Sequence, residues 1–473
     1  MHLPNLLDAK KRIEKETIIK YDDYEITPDM EVLGKDKKYH IITYGCQINV
    51  HDSENISAIM EDMKYLRTED MNEADVIILN TCAIRENAHN KVSGMLGRIK
   101  HLKQDKKDIL VVFMGCMAQE EVVVTKLKDK YKFVDIIIGT HNIHKLPLYL
   151  YNRIKNKERE IEVFSCEGNV YENIPVRRDS KIKAWVNIMY GCDKFCTYCI
   201  VPYTRGRQRS RMPEDIINEC EELYNNNYQE VTLLGQNVNA YGKDLNINYN
   251  MANLLSDVAK IGIPRIRFVT SHPWDFTSEM IDVIASYPNI MPYIHLPIQS
   301  GSDRILKLMG RKYTTKEYLE LVSELRKKIP NVTITTDIIV GFPGETEEDF
   351  QKTLDIVNEV KYDLAYTFIF SKRVGTPACK LEDNTPLSEK EERLQRLNEL
   401  INNYARISND KMLGKTLDVL IEGPSDKKNK FMGYTDTMKL VNVKCDEEFV
   451  GKIIKVKITD TKTWSLEGEI VNE

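Results

Sequence analysis

The chain has 473 residues, 42% of them hydrophobic, with 67 Lys or Arg against 72 Asp or Glu and a net charge of −5. That length holds about three domains of ~150 residues, the composition is that of a soluble globular protein, and the acidic balance argues against a uniformly basic nucleic-acid binder. No apolar run approaches the ~20 residues that span a bilayer, residues 1–20 lack the apolar core of a signal peptide, and ten cysteines are too sparse for a disulfide scaffold, so a reducing, cytoplasmic compartment is expected.

In chain order, residues 1–36 are rich in Lys and Glu without a sustained apolar pattern and read as a peripheral extension. From residue 37 to 153, four short apolar runs predict strands at Tyr39–Tyr44, Ala74–Leu79, Asp108–Met114 and Val134–Ile138. Charged stretches such as Asp52–Lys64 and Glu120–Lys130 read as helices between them. Continuous apolar runs alternating with helices predict a parallel sheet covered on both faces, whose ligands bind beyond the carboxyl ends of the strands. Residues 154–180 read as a linker. A second strand–helix series fills 181–412, with strands at Ala184–Met189, Val231–Leu234, Arg265–Thr270, Tyr293–Leu296, Val332–Val340 and Leu364–Phe370. Six such units suggest a partial (β/α)6 barrel with its active edge at the strand C-termini. Leu387–Leu413 reads as one long amphipathic helix. Five strand-like pieces in 413–473 suggest a small β-barrel. The expected fold is therefore a multidomain α/β chain with a C-terminal β-barrel.

Six cysteines carry the strongest chemical signal. Cys192, Cys196 and Cys199 lie in a C-x3-C-x2-C motif just after a predicted strand. Cys46, Cys82 and Cys116 each follow a different predicted strand, two of them directly after Gly. A four-iron cluster bound by three thiolates keeps one iron open to a non-protein ligand. Two such trios predict two [4Fe-4S] clusters used for chemistry at iron. An open iron at the compact motif can chelate the amino and carboxylate groups of S-adenosylmethionine. Zinc is the competing reading of that motif, but tetrahedral zinc wants four ligands and no fourth Cys or His is near. The competing reading of the dispersed trio is cysteine packed as a small apolar residue; three at matching strand ends make that the weaker choice. Cys166, Cys220, Cys379 and Cys445 have no comparable placement. Gly235, Gln236, Gln299, Ser300, Asp337 and Gly341 fall at strand ends of the second series and, with Tyr198 inside the motif, are candidate S-adenosylmethionine contacts. Tight turns and helix caps are the alternative for each. His295, His272 and His89 stand alone and read as ordinary structural histidines.

Nine Lys or Arg against two Asp lie between Arg177 and Arg211. A basic rim on an acidic protein suits a polyanion guided to one site, so Arg205, Arg207, Arg209 and Arg211 are candidate contacts to a polyanion, which the resemblance given below implies is RNA. A solvated loop is the alternative.

These motifs resemble the radical S-adenosylmethionine methylthiotransferase family from about Lys38 onward. The resemblance is carried by Gly45-Cys46-Gln47-Ile48-Asn49, Asn80-Thr81-Cys82-Ala83-Ile84-Arg85-Glu86, Gly115-Cys116-Met117-Ala118-Gln119, and Cys192 to Gly206. Residues 413–473 resemble the RNA-binding TRAM barrel. Thr232 to Tyr241, Thr270-Ser271-His272-Pro273 and His295 to Ser302 are similar to signatures of the branch acting on an isopentenylated adenine beside the tRNA anticodon. The resemblance implies a transferase using two S-adenosylmethionines. One donates a methyl group to a sulfur at the dispersed-trio cluster. The other is cleaved at the compact-trio cluster to a radical that removes hydrogen from C2 of the base. No side chain need act as catalytic base. It further implies the anticodon stem-loop as substrate, a reducing electron-donor protein, a sulfur donor and a monomer with no membrane association. Sister enzymes acting on threonylcarbamoyl-adenosine or on a ribosomal-protein aspartate, and a non-catalytic iron–sulfur RNA-binding module, are the other readings. The Leu233-Leu234-Gly235-Gln236-Asn237-Val238-Asn239 run argues against the aspartate enzyme.

Overall fold

The computed structural model describes residues 21–83, 86–163, 170–172 and 174–471. Cys166 and the first twenty residues lie outside the described part. The first sheet has six parallel strands in the spatial order Leu66–Arg67, Lys38–Thr43, Val76–Thr81, Leu110–Gly115, Ile136–Ile138, Glu160–Glu162. Val76–Thr81 is buried along its whole length. Its two faces pack separate apolar clusters, one holding Ile77, Leu79, Val111 and Phe113 and the other Val76, Ile78, Val112 and Met114. The outermost strands are the two that the apolar pattern misses. One of them, Glu160–Glu162, belongs to the sheet although it falls in the stretch expected to be linker. Tyr21–Asp23 pairs with Val170–Glu172 in a separate two-stranded ladder.

The second unit is a barrel of six parallel strands with a seam. Lys183–Asn187, Glu230–Leu234 and Arg265–Phe268 form one ladder, and Tyr293–His295, Thr333–Val340 and Leu364–Ile369 another. A single bridge from Ile266 to Ile290 joins the halves. No ladder connects the sixth strand to the first among the described residues, so the barrel is partial. Helices Pro213–Asn225, Thr315–Lys328 and Glu347–Val360 fall between the strands along the chain. Two of these start with capping boxes, Thr314 with Glu317 and Thr346 with Asp349, whose side chains exchange hydrogen bonds with the first-turn amides. Helix Leu387–Asp410 lies along the sixth strand.

Residues 416–470 close a five-stranded barrel around Val419, Ile421, Val441, Val443, Val456 and Ile458. It docks on the amino-terminal ends of the six-stranded barrel. Arg265, the first residue of its strand, donates to the carbonyls of Tyr434 (2.7 Å) and Asp418 (2.8 Å). Lys183, also a first residue, pairs with Glu422 at 2.6 Å, and Lys439 pairs with Asp363 just before the sixth strand at 3.7 Å. The first sheet docks elsewhere. Its helix Gln47–Asp62 faces strand Lys183–Asn187, and Glu54 accepts the amides of Arg177 and Asp179.

Candidate active site

Both cysteine trios lie at carboxyl ends of strands. In the first sheet Cys46 follows Lys38–Thr43 and caps helix Gln47–Asp62, Cys82 follows Val76–Thr81, and Cys116 follows Leu110–Gly115. Gly45 (φ +135°) brings the backbone so close that a Cβ there would lie 2.5 Å from the Cys82 Cβ and 3.1 Å from its sulfur. The surrounding motif residues brace these loops. Asn80 donates to the Asn49 carbonyl (2.8 Å) and Ser53 (2.9 Å), Asn49 donates to the Tyr44 carbonyl (3.0 Å), and Thr81 to that of Met114 (2.7 Å). A hydrogen bond with Cys82, helped by the Arg205 charge and the amides of Asn49 and Ile48, holds Cys46 down at about 6 against its burial. Burial pushes the Cys116 thiol up.

The compact trio forms a pinned loop. Gly191 adopts φ +72° where a Cβ would lie 2.0 Å from the Arg207 carbonyl oxygen. Thr197 is tied at three points, its amide to Met309 (2.9 Å), its hydroxyl to Leu308 (2.8 Å) and its carbonyl to the Ala378 amide (2.9 Å). Phe195 sits in the left-handed region at φ +47°. Burial raises Cys192, and raises Cys199 to about 12, each with further upward pressure from the neighbouring thiols. Arg311, buried, reaches the Cys196 sulfur at 3.7 Å and the Pro297 carbonyl at 2.6 Å.

The two trios adjoin. Phe195, from inside the compact motif, packs on a small apolar cluster of Ala83, Cys116, Ile200 and Tyr203. Six residues after Cys199, Arg205 places Nε 3.2 Å from the Cys116 sulfur and Nη2 3.0 Å from Asn49 Oδ1 and 2.5 Å from Asp52. Thr140 adds a hydrogen bond to the Thr204 carbonyl at 2.7 Å.

The remaining expected contacts divide. Gln236, after the second strand, has both side-chain polar atoms buried without a hydrogen-bond partner, as does the Ser271 hydroxyl after the third. Gly235 lies beside them, where a Cβ would meet the Met189 side chain at 2.6 Å. Gln299 is held at φ +73° with its amide on the Asp337 carbonyl. Asp337 faces His295 Nε2 at 3.5 Å, so His295, read as isolated, has an acidic partner. Tyr198 packs beside Phe342 and Phe370. Ser300 is fully buried and accepts the Ser302 amide, and Gly341 gives its amide to Glu345 and backs onto Lys390.

The four arginines do not form an outward patch, which corrects the expectation drawn from charge. Arg205 and Arg209 are buried, with Arg209 against the Tyr190 ring. Arg207 pairs with Asp193 (3.0 Å) and Arg211 with Glu219 (2.7 Å). Charge counts reveal no direction, and these guanidiniums turn toward protein carboxylates and backbone. Sequence reasoning also missed Arg311 and Trp274. Trp274 follows the third strand, is 42% exposed, and carries Lys194 Nζ 4.2 Å and Lys312 Nζ 4.9 Å from its ring centre. Lys194 lies between Cys192 and Cys196.

Among the described residues no three His, Cys, Asp or Glu close tightly enough to hold one metal ion. A four-iron cluster asks for a wider triangle, because each thiolate bonds a different iron. The all-thiol donor sets, the glycine cradles and the orphaned polar atoms of Gln236 and Ser271 fit clusters with an added small ligand at the compact trio.

Comparison with known proteins agrees with this arrangement. Residues 186–357 match the Radical SAM superfamily, residues 38–139 the Uncharacterized protein family UPF0004, and residues 410–471 the TRAM domain. The tRNA-2-methylthio-N(6)-dimethylallyladenosine synthase of Staphylococcus aureus (strain JH9) is 54% identical over 473 residues, covering 99% of this chain and 92% of that protein. The same-named protein of strain Newman matches at the same identity and coverage. In fold, the chain resembles a radical S-adenosylmethionine methyltransferase, TsrM, from Kitasatospora setae, solved with cobalamin and a [4Fe-4S] cluster, at TM-score 0.53 and 14% identity over 72% of this chain and 73% of that one. With that 54% identity to the synthases over nearly its full length, the chain belongs to the family of tRNA-2-methylthio-N(6)-dimethylallyladenosine synthases.

Proposed function

We propose that this protein is a radical S-adenosylmethionine tRNA methylthiotransferase that places a methylthio group on C2 of N6-isopentenyladenosine beside the anticodon. The observation that carries this reading is the meeting of two three-thiol sites across Phe195 and Arg205, in a chain so similar to named synthases. The dispersed trio, Cys46, Cys82 and Cys116, is the proposed holder of one [4Fe-4S] cluster, and Cys192, Cys196 and Cys199 of the other. When bound, the compact-site cluster supplies the electron that cleaves S-adenosylmethionine, and the dispersed-site cluster an iron that carries sulfur.

The protein's own part is positioning. Gln236 and Ser271 offer unpaired polar atoms to the amino-acid end or ribose of S-adenosylmethionine at the compact loop. Phe195 and Tyr203 keep the space between the trios apolar, which shields a reactive radical from water. A single-stranded loop base can be splayed out and stacked on an aromatic ring. Trp274, with two ammonium groups over it, is the proposed stacking surface beside the compact loop. The domain divisions at 37–153, 181–412 and 413–473, a cytoplasmic location, a monomeric state, a reductant protein and a sulfur donor belong to the same proposal. No helix among the described residues is long and apolar enough to cross a membrane.

Mass spectrometry of tRNA nucleosides tests the reading directly. Cells lacking the protein should retain isopentenyladenosine and lose its 2-methylthio derivative, and the gene supplied in trans should restore it. Persistence of the derivative in the deletion strain would overturn the assignment.

A further inference from the structure

We infer that Arg205 is a positioning residue for the dispersed-trio cluster, acting across the domain boundary through the sulfur of Cys116; this rests on the cluster assignment proposed above. Arg205 belongs to the six-stranded barrel's cysteine loop by sequence, at the end of the short helix Val201–Thr204. By contact it belongs to the first sheet. It is 5% exposed and directs Nε–H at Cys116 Sγ (3.2 Å) and Nη2 at Asn49 (3.0 Å) and Asp52 (2.5 Å). A plain domain clamp needs only the Asp52 pair. Here a separate N–H is spent on a sulfur, and Asn49 and Asp52 fix its direction.

Hydrogen bonds to ligand sulfurs and nearby charge set cluster potentials, and burial keeps such charge unscreened. An N–H donated to Cys116 withdraws density from the thiolate and favours the reduced cluster. The Asp52 carboxylate opposes it. The compact site is built differently. Among the described residues, Arg311 meets the Cys196 sulfur, the Pro297 carbonyl and the Tyr313 hydroxyl, and no carboxylate pairs with it. Each trio thus has one buried guanidinium at one sulfur, compensated by an acid only at the dispersed site. Arg205 and Asp52 therefore form an adjustable pair whose two members act with opposite sign.

The test is a redox titration, followed by electron paramagnetic resonance, of anaerobically reconstituted full-length protein. Repeating it in a Cys192/Cys196/Cys199→Ala background tells the two couples apart. Arg205→Met should move the dispersed-site couple to lower potential by at least a tenfold change in the reduced-to-oxidised ratio, about 59 mV for one electron. Asp52→Asn should move it upward, and Arg205→Lys, which keeps charge but loses the directed N–H, should fall between wild type and Arg205→Met. The compact-site couple should stay. Should Arg205→Met lose its dispersed-site iron, Arg205→Lys and Asp52→Asn carry the measurement. A dispersed-site couple that stays put in Asp52→Asn and in whichever Arg205 variants retain iron, even with a lowered Tm, would reduce Arg205 to a structural clamp and overturn the inference. Full iron retention in a Cys46/Cys82/Cys116→Ala variant would instead overturn the cluster assignment beneath it.

Discussion

Gly45 is the glycine at the dispersed trio whose added Cβ would press on a cysteine side chain itself. A methyl group there would press on Cys82 at 2.5 Å in a backbone conformation that side chains rarely adopt. Gly45→Ala should therefore cut reconstituted iron by about half while uncoupled S-adenosylmethionine cleavage, read as 5′-deoxyadenosine, continues, because the compact trio supplies that chemistry alone. Iron and sulfide analysis with chromatography checks both halves of the statement. A Cys192/Cys196/Cys199→Ala variant should also lose about half the iron, and should make no 5′-deoxyadenosine. At this scale the gathering of the cysteines at strand ends was legible from sequence, because residue type and strand position are written there. The arginines were misread for the opposite reason: whether a guanidinium faces solvent or a buried Asp52 or Glu219 depends on what the fold brings opposite it.

Helix Gln47–Asp62 carries a titration across the domain interface. Burial depresses His51 to about 4, with Glu219, Arg178 and Arg211 of the neighbouring unit and Asp52 of its own helix acting on it. A histidine depressed in the fold binds its proton more readily when unfolded, so its contribution to stability is intact above about pH 6.5 and falls as pH drops toward 4. By pH 5 the loss is on the order of 2 kcal/mol. Burial raises Glu120 and Glu345 to about 7, which stabilises the fold as pH falls and opposes the His51 effect. The informative measurement is therefore differential: between about pH 7.5 and pH 5, wild-type Tm should drop more than that of His51→Gln, and parallel curves would dismiss the idea. On the loop after the third barrel strand, Trp274→Ala should weaken binding of an anticodon stem-loop by roughly 5- to 150-fold, the equivalent of about 1–3 kcal/mol for a stacked base, without reducing cleavage of S-adenosylmethionine in the absence of RNA. Titration calorimetry beside the 5′-deoxyadenosine assay decides it. Elements were read well where apolar runs were long, as in Thr333–Val340. Leu66–Arg67 and Glu160–Glu162 escaped because edge strands are short and polar, as edges exposed to other chains tend to be.

At the scale of the whole molecule, the five-stranded barrel and the cysteine loops occupy opposite ends of the six-stranded barrel. Arg265, Lys183 and Asp363 hold one end and Cys192 to Cys199 sit at the other. Sequence suggested the small barrel and the cysteine loop but not their separation, since nothing local encodes which end of a barrel a later domain meets. Lys428, Lys444 and Lys452 are among the exposed lysines of the small barrel and, on the proposed function, candidate contacts to the stem. Replacing them with Ala should lower tRNA affinity and flatten its salt dependence by roughly 0.7–0.9 in slope for each phosphate no longer neutralised, measured as binding isotherms at several salt concentrations. An unchanged slope would move the stem to another face. The separation has a metric consequence. The longest strand of the barrel, eight residues, is about 26 Å long and, at the ~36° tilt of barrel strands, spans about 21 Å along the axis, the height that on the proposed function separates the stem-binding surface from the loop that does the chemistry. With the stem held at that end, the proposed enzyme acts as a ruler that selects a nucleotide by its distance from the grip, whatever the intervening bases. Inserting one base pair into the anticodon stem should carry the isopentenylated adenine out of reach and abolish methylthiolation while leaving affinity nearly intact.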